Sequence, residues 1–276
     1  MAQPEGPFVA VYKSDKHQLV FLGAEHTNHT DSKTFKLIRE VYKSFPVETL
    51  IVEGPEYSAG PDESGLLDRA QSVRVSSGFQ KEGEIIEAIH GAVSVRATVW
   101  GGEPEDEYLW KYALNKGFTP TDLVGFYTLR SIPQWIRERR IVSAADPRIR
   151  DLVESELIKS RSRLGINRQI LPTYETWLSW YLRVNDKEFG EKFDPEETRP
   201  LSAGSYGTNR IASAISVARA EYLLHRIAHH VRRAESALVV FGYSHLMIHR
   251  PALDTLFGPP CYVGNDIKST ISACPN

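Results

Sequence analysis

Cysteine is scarce in this chain: Cys261 and Cys274 are its only two, and both fall in a loop-like C-terminal tail. A disulfide closing a short loop and a pair of inert thiols are both open readings. Long apolar runs are missing as well. None approaches the ~20 residues that a membrane-spanning helix needs, so a soluble protein is expected. An excess of charge of either sign is also absent, with 33 Lys and Arg against 35 Asp and Glu. A formal net charge of -2 supplies no overall field for gathering nucleic acid or an anionic membrane, which leaves a small-molecule or peptide substrate as the expected partner. The first residues, Met1 to Gly6, lack the basic and apolar regions of a signal peptide, but a mature exported protein would look the same. Cytoplasmic and exported locations both stay open. No phosphate-binding loop, no G-x-G-x-x-G after a strand, no internal repeat and no low-complexity tract occurs.

What is present is an ordinary globular composition, 41% hydrophobic and 25% charged, in 276 residues. That length is enough for one large core carrying an insertion. Val9 to Lys13 and Gln18 to Gly23 are apolar-rich runs flanking Ser14-Asp15-Lys16, which predicts an opening hairpin. With Asp31 as N-cap, Phe35, Leu37, Ile38, Val41, Tyr42 and Phe45 recur at helical spacing up to Pro46. Strands are expected at Thr49 to Val52, Val95 to Trp100 and Ala237 to Phe241, and helices at Glu84 to His90, Glu105 to Leu114 and Asn209 to Arg233. From Thr119 to Val184 the pattern is helical without a convincing strand, and Asp186 to Gly207 reads as loop, so residues 119–207 are expected as a helical insertion within a single α/β domain spanning 1–276. Pro251 argues against a long helix after the last strand.

Four strands end alike, in an apolar run, a nearby Gly and then Glu or His: Gly23-Ala24-Glu25-His26, Val52-Glu53-Gly54, Gly101-Gly102-Glu103 and Gly242-Tyr243-Ser244-His245. In α/β sheets the carboxyl ends of parallel strands share one edge, where ligands bind. Gly lets the backbone turn out of the sheet, and the next helix N-terminus offers free N–H groups to an anion. His26, Glu53, Glu103 and His245 are therefore predicted to face a shared space. His26, Glu53 and His245 could hold a divalent metal such as Zn, Mn or Co that activates water. The same set could work without metal, with Glu or His taking a proton from water and Arg or backbone N–H groups holding the oxyanion. Ser244 is a poor nucleophile candidate, because Leu246 stands where a nucleophile elbow needs Gly. His225, His229 and His230 read as one polar helix face, and Arg137 to Arg140 as a solvated one.

These strand ends resemble the TraB/GumN and Tiki superfamily, with more distant likeness to erythromycin esterases and ChaN-type haem-binding proteins. Gly23-Ala24-Glu25-His26 and Gly242-Tyr243-Ser244-His245-Leu246 match its two G-x-x-H ends, and Leu50-Ile51-Val52-Glu53 matches its second strand. Arg219 stands where the family carries an Arg on the helix before the last strand. Gly101-Gly102-Glu103-Pro104 departs from the family's G-D-R-P. The resemblance covers roughly residues 8 to 115 and 208 to 260. It implies a mainly parallel central sheet flanked by helices, with two related halves, a helical insertion and a pocket at the strand ends; the insertion, with its Trp residues, is expected to form a cap over that pocket. It further implies a hydrolase of the Tiki/TraB type, metal-dependent, that cleaves a peptide or ester bond, with Arg219 stabilising negative charge. The alternative it implies is a ChaN-like protein binding haem or a small apolar ligand, through Tyr57, Tyr243 or a His.

Overall fold

A computed structural model describes residues 6–13, 17–55, 65–73, 75–200, 204–233, 236–267, 269 and 273–274. The chain packs into two compact units, one α/β (Met1–Pro104 with Ala220–Asn276) and one helical (Glu105–Arg219). The helical unit is wider than residues 119–207 at both ends.

The α/β unit is built on a mixed sheet of six strands, mostly parallel. They are β1 (Phe8–Lys13), β2 (Gln18–Ala24), β3 (Thr49–Pro55), β6 (Thr98–Glu103), β7 (Ser236–Gly242) and β8 (Tyr262–Gly264), in the spatial order β6-β3-β7-β2-β1-β8. A two-stranded ribbon of β4 (Val75–Ser76) and β5 (Phe79–Gln80) stands apart. β1 pairs antiparallel with both β2 and β8, as the predicted hairpin requires, while β2, β7, β3 and β6 run parallel. Period-two alternation divides the strand residues between two cores. Val20, Leu22, Val52 and Val240 face α1 (Lys33–Ser44), α2 (Gly65–Ser72) and α3 (Gly83–Val95). Phe21, Ile51, Val239 and Phe241 face the second half of α9 (Gly207–Val231) and α10 (Tyr243–Phe257). β2, β7 and β3 lie in the interior of the sheet, buried on both faces, which is why their sequences are continuously apolar.

Several boundaries differ from the sequence reading. Ser32 rather than Asp31 caps α1, its side chain accepting from the Phe35 amide. α3 continues through Val95 and closes on Arg96 in the left-handed conformation (φ 61°). Val93 and Val95 are thus exposed helix residues, and the strand begins only at Thr98. α10 is a 15-residue helix with Pro251 inside it, contrary to expectation. Pro251 sits on the exposed side, where water can satisfy the carbonyl it leaves without a donor, while Leu246, His249 and Leu253 anchor the buried side. Cys261 and Cys274 are joined in a disulfide.

The helical unit comprises α4 (Asp106–Asn115), α5 (Pro120–Leu129), α6 (Ile132–Arg137), α7 (Ile149–Arg163), α8 (Tyr174–Asn185), a 3-10 turn (Pro195–Thr198) and the first half of α9. Thr119 and Thr173 form capping boxes that start α5 and α8. Trp135, Trp177 and Trp180 are almost wholly buried in this unit's own core, so they are packing residues and not walls of a ligand site. The Trp177 indole donates to the Gly125 carbonyl and the Trp180 indole to Asp122, satisfying both buried N–H groups. The expected loop after α8 is tied down by Glu197, which is fully buried and accepts from Tyr181, Asn185, the Asp194 amide and Lys187.

Candidate functional site

β7 is the last long strand in sequence, yet it lies between β2 and β3. Val52 pairs with Val240 across β3 and β7, and Ala24 pairs with Gly242 across β2 and β7, so the three carboxyl ends are level. His26 leaves the end of β2, Glu53 belongs to the end of β3, and His245 lies in the first turn of α10, directly after β7.

These three predicted residues come together. His26 Nε2 is 3.8 Å from Glu53 Oε2, and His245 Nε2 is 3.9 Å from Glu53 Oε1. The Gly242 amide donates to Glu53 Oε2 at 3.0 Å, which fixes the carboxylate between the two imidazoles. Gly242 permits this crowding. A Cβ there would stand 2.9 Å from His26 Nε2 and 3.6 Å from Glu53 Oε2. At Gly23 a Cβ would lie 2.9 Å from the Tyr243 Cα, so that glycine lets the first turn of α10 approach β2.

A fourth residue escaped the sequence reading. Glu84, in the first turn of α3, approaches His26 Nδ1 at 2.6 Å through Oε1 and accepts from the Thr27 amide at 3.2 Å through Oε2. Its side chain is only 6% exposed, whereas that of His26 is 65% exposed. The Glu84 hydrogen bond holds the His26 pKa above the ordinary histidine value; partial burial opposes this, and the charges of Glu84 and Glu53 add to it. The available signal was a carboxylate at the start of a helix among apolar residues, Glu84-Ile85-Ile86, which a solvated first turn explains equally well.

The other predicted residues are placed differently. Glu103 ends β6 opposite Pro55, on the far side of β3 from β7 and so one strand further from His245 than Glu53 is. Arg219 packs in the helical unit. His249 is buried with both ring nitrogens directed at carbonyl oxygens, of His245 and Ala220, so neither is available to a metal. His230 is no part of a polar face: it is buried against Trp100, with ring centroids 4.5 Å apart. Burial lowers its pKa to about 4, aided by the neighbouring charges of His229, Arg226 and Arg233.

Adjacent ligands on a tetrahedral ion with bonds of about 2.1 Å stand about 3.4 Å apart, closer than the His26–Glu53 and His245–Glu53 separations. Among the described residues no group of three or more His, Cys, Asp or Glu side chains is placed to hold a metal ion. As arranged, therefore, the trio does not form a metal cage. For the haem alternative, Tyr57 lies outside the described residues, and Tyr243 packs its side chain against Gly6 and Gly23. No helix among the described residues is long and apolar enough to cross a membrane. The fold and site together define an α/β protein with a His–carboxylate cluster at the carboxyl edge of its parallel strands. No protein-family model, curated protein or solved structure matches the chain.

Proposed function

We propose that the α/β unit is a hydrolase that cleaves an ester or peptide bond, with His26 as general base, Glu84 as its positioning partner, and Glu53 and His245 completing the site. The observation that carries this reading is the 2.6 Å contact between His26 Nδ1 and the buried Glu84. An imidazole whose Nδ1–H donates to a carboxylate keeps its lone pair on Nε2, the nitrogen directed towards Glu53. The 3.8 Å gap there is too long for a direct hydrogen bond and suits a water that touches both groups.

In the reaction, Nε2 takes a proton from that water as its oxygen attacks the substrate carbonyl carbon. Glu53 accepts a hydrogen bond from the water's second O–H, which stays on the attacking oxygen, and stabilises the imidazolium that forms. The N–H groups in the first turn of α10, whose N-cap Gly242 brings no side chain to cap them, would receive the oxyanion. Collapse breaks the bond to the leaving group, which takes the proton from His26 Nε2. His245 lies on the other side of Glu53, in reach of the same space. The resemblance to the Tiki and erythromycin esterase families agrees with carbonyl-bond hydrolysis.

The test is turnover of a panel of acyl esters and peptide amides by the whole chain. His26→Ala should lower kcat/KM by about 10²- to 10⁴-fold with an unchanged circular dichroism spectrum. Equal turnover by the variant, or no turnover of any panel member by the wild type, overturns the reading.

A further inference from the structure

The outward face of α10 carries no charge. Seven of its residues are exposed, among them Tyr243, Met247, Ile248, Pro251 and Leu256, and none of the seven is ionisable at neutral pH. By contrast α7, also 15 residues long, exposes Arg150, Asp151, Lys159 and Arg163. The two formal charges of α10, Arg250 and Asp254, are only part-exposed and lie 3.7 Å from each other, and Asp254 also accepts from the Tyr12 hydroxyl. Single exposed apolar side chains need no explanation, but a contiguous set does. Tyr243 and Met247, Met247 and Pro251, and Ser244 and Ile248 are each four apart, so they stack in two neighbouring rows along the helix. Ile248, which is 58% exposed, is also three residues from His245 and so beside it on the helix surface.

These rows begin at the candidate site. The Gly242 amide that fixes Glu53 directly precedes Tyr243, and the first turn of α10 holds the N–H groups assigned to the oxyanion. A substrate carbonyl held there meets, along α10, an apolar strip that runs about 12 Å from Tyr243 to Pro251 at the helical rise per residue. A charged or polar chain laid on Met247 and Ile248 would lose hydration without gaining a partner, whereas a hydrocarbon chain and the two side chains all leave water together. The flexible thioether of Met247 adapts to chains of different shape. A protein partner suits the strip less, since a stable interface takes roughly 20–30 residues from each side and this face supplies seven. We propose that the strip holds the acyl chain of the substrate, so that the bond cleaved is the ester of a medium- or long-chain carboxylic acid. This inference rests on the hydrolytic reading of the site, and every residue it uses belongs to the α/β unit.

The test is kcat/KM of the whole chain on 4-nitrophenyl acetate, butyrate and octanoate at monomeric concentrations, counting only turnover that His26→Ala loses. The longer chain, even incompletely buried, should raise kcat/KM of octanoate over acetate by about tenfold or more. Met247→Ser and Ile248→Ser remove the apolar contact without adding charge near His245, and each should bring that ratio down severalfold with the circular dichroism spectrum retained. Val142→Ser, at an exposed apolar residue of the helical unit, should leave the ratio as it is. Turnover of acetate with no gain for octanoate overturns this inference alone, as does a ratio that neither α10 variant changes or that Val142→Ser lowers equally. Dimerisation of the wild type that both α10 variants abolish would give the strip to a second copy of the chain and also overturn it. No turnover of any ester, acetate included, removes the hydrolytic reading and this inference with it.

Discussion

His26 Nδ1 lies 2.6 Å from Oε1 of Glu84, a residue 58 positions further along the chain. The buried carboxylate orients an otherwise exposed imidazole and raises its pKa. A general base with a raised pKa is protonated, and so inactive, to a higher pH, and its activity rises as pH passes that value. Glu84→Gln removes the charge while keeping the shape. The acid limb of kcat/KM should therefore move to lower pH, and the plateau should fall by about ten- to a hundredfold as the ring loses its fixed orientation. A pH–rate profile identical to the wild type would remove Glu84 from the site.

Gly242 gives a cleaner steric test. Its backbone (φ -50°, ψ 140°) is open to any L-residue, so Gly242→Ala introduces no backbone strain. The added Cβ would nonetheless stand within 3 Å of His26 Nε2. His26 has room to swing away, at the expense of its place beside Glu53. Activity should drop by at least about tenfold while the thermal midpoint changes by only a few degrees. Retained activity would show that His26 need not sit where it does.

The spacing of Glu53 from the two imidazoles bears on metal dependence. Dialysis against a chelator should leave the rate unchanged, and the purified protein should hold less than one equivalent of Zn, Mn or Co by elemental analysis. Lost activity that returns with one of these ions would instead require the trio to close around it.

His230 predicts how stability depends on acid. Its pKa in the folded state, about 4, lies below that of the unfolded chain, so the unfolded state binds the extra proton between these values. Stability is fully present above about pH 6.5 and is lost as pH falls through 4, by roughly 3 kcal/mol for this single group. His26 has the opposite sign, but its exposure to solvent screens the effect. Urea titrations at pH 7 and pH 4.5 should show the loss in the wild type and a smaller one in His230→Leu.

Glu197→Ala should destabilise the helical unit by about 3–5 kcal/mol, because it leaves the partly buried Lys187 ammonium and the buried Tyr181 hydroxyl without their shared acceptor. A shift of less than about 1 kcal/mol in urea unfolding would show that the segment after α8 is held by packing alone.

Much of this architecture was legible in local sequence. The strand cores from β1 to β3 and β7, and the residues His26, Glu53 and His245, follow from apolar runs that end in Gly and then an acid or base, because side-chain periodicity and turn chemistry act over a few residues. The unbroken apolar run of β7 marked it as a strand buried on both faces, but not as the neighbour of both β2 and β3. Strand order rests on pairings between distant segments, and that order alone brings His245 and the Gly242 amide to Glu53. Glu84 was hidden for the same reason. Nothing near it in sequence distinguishes a carboxylate solvated in a first helical turn from one buried against a histidine 58 residues away. The Trp residues of the helical unit illustrate the converse: they were expected in a cap over the pocket, and packing made them core. Arg219 lines a cavity with Arg130 and Arg137, a convergence of three elements that only the tertiary fold decides.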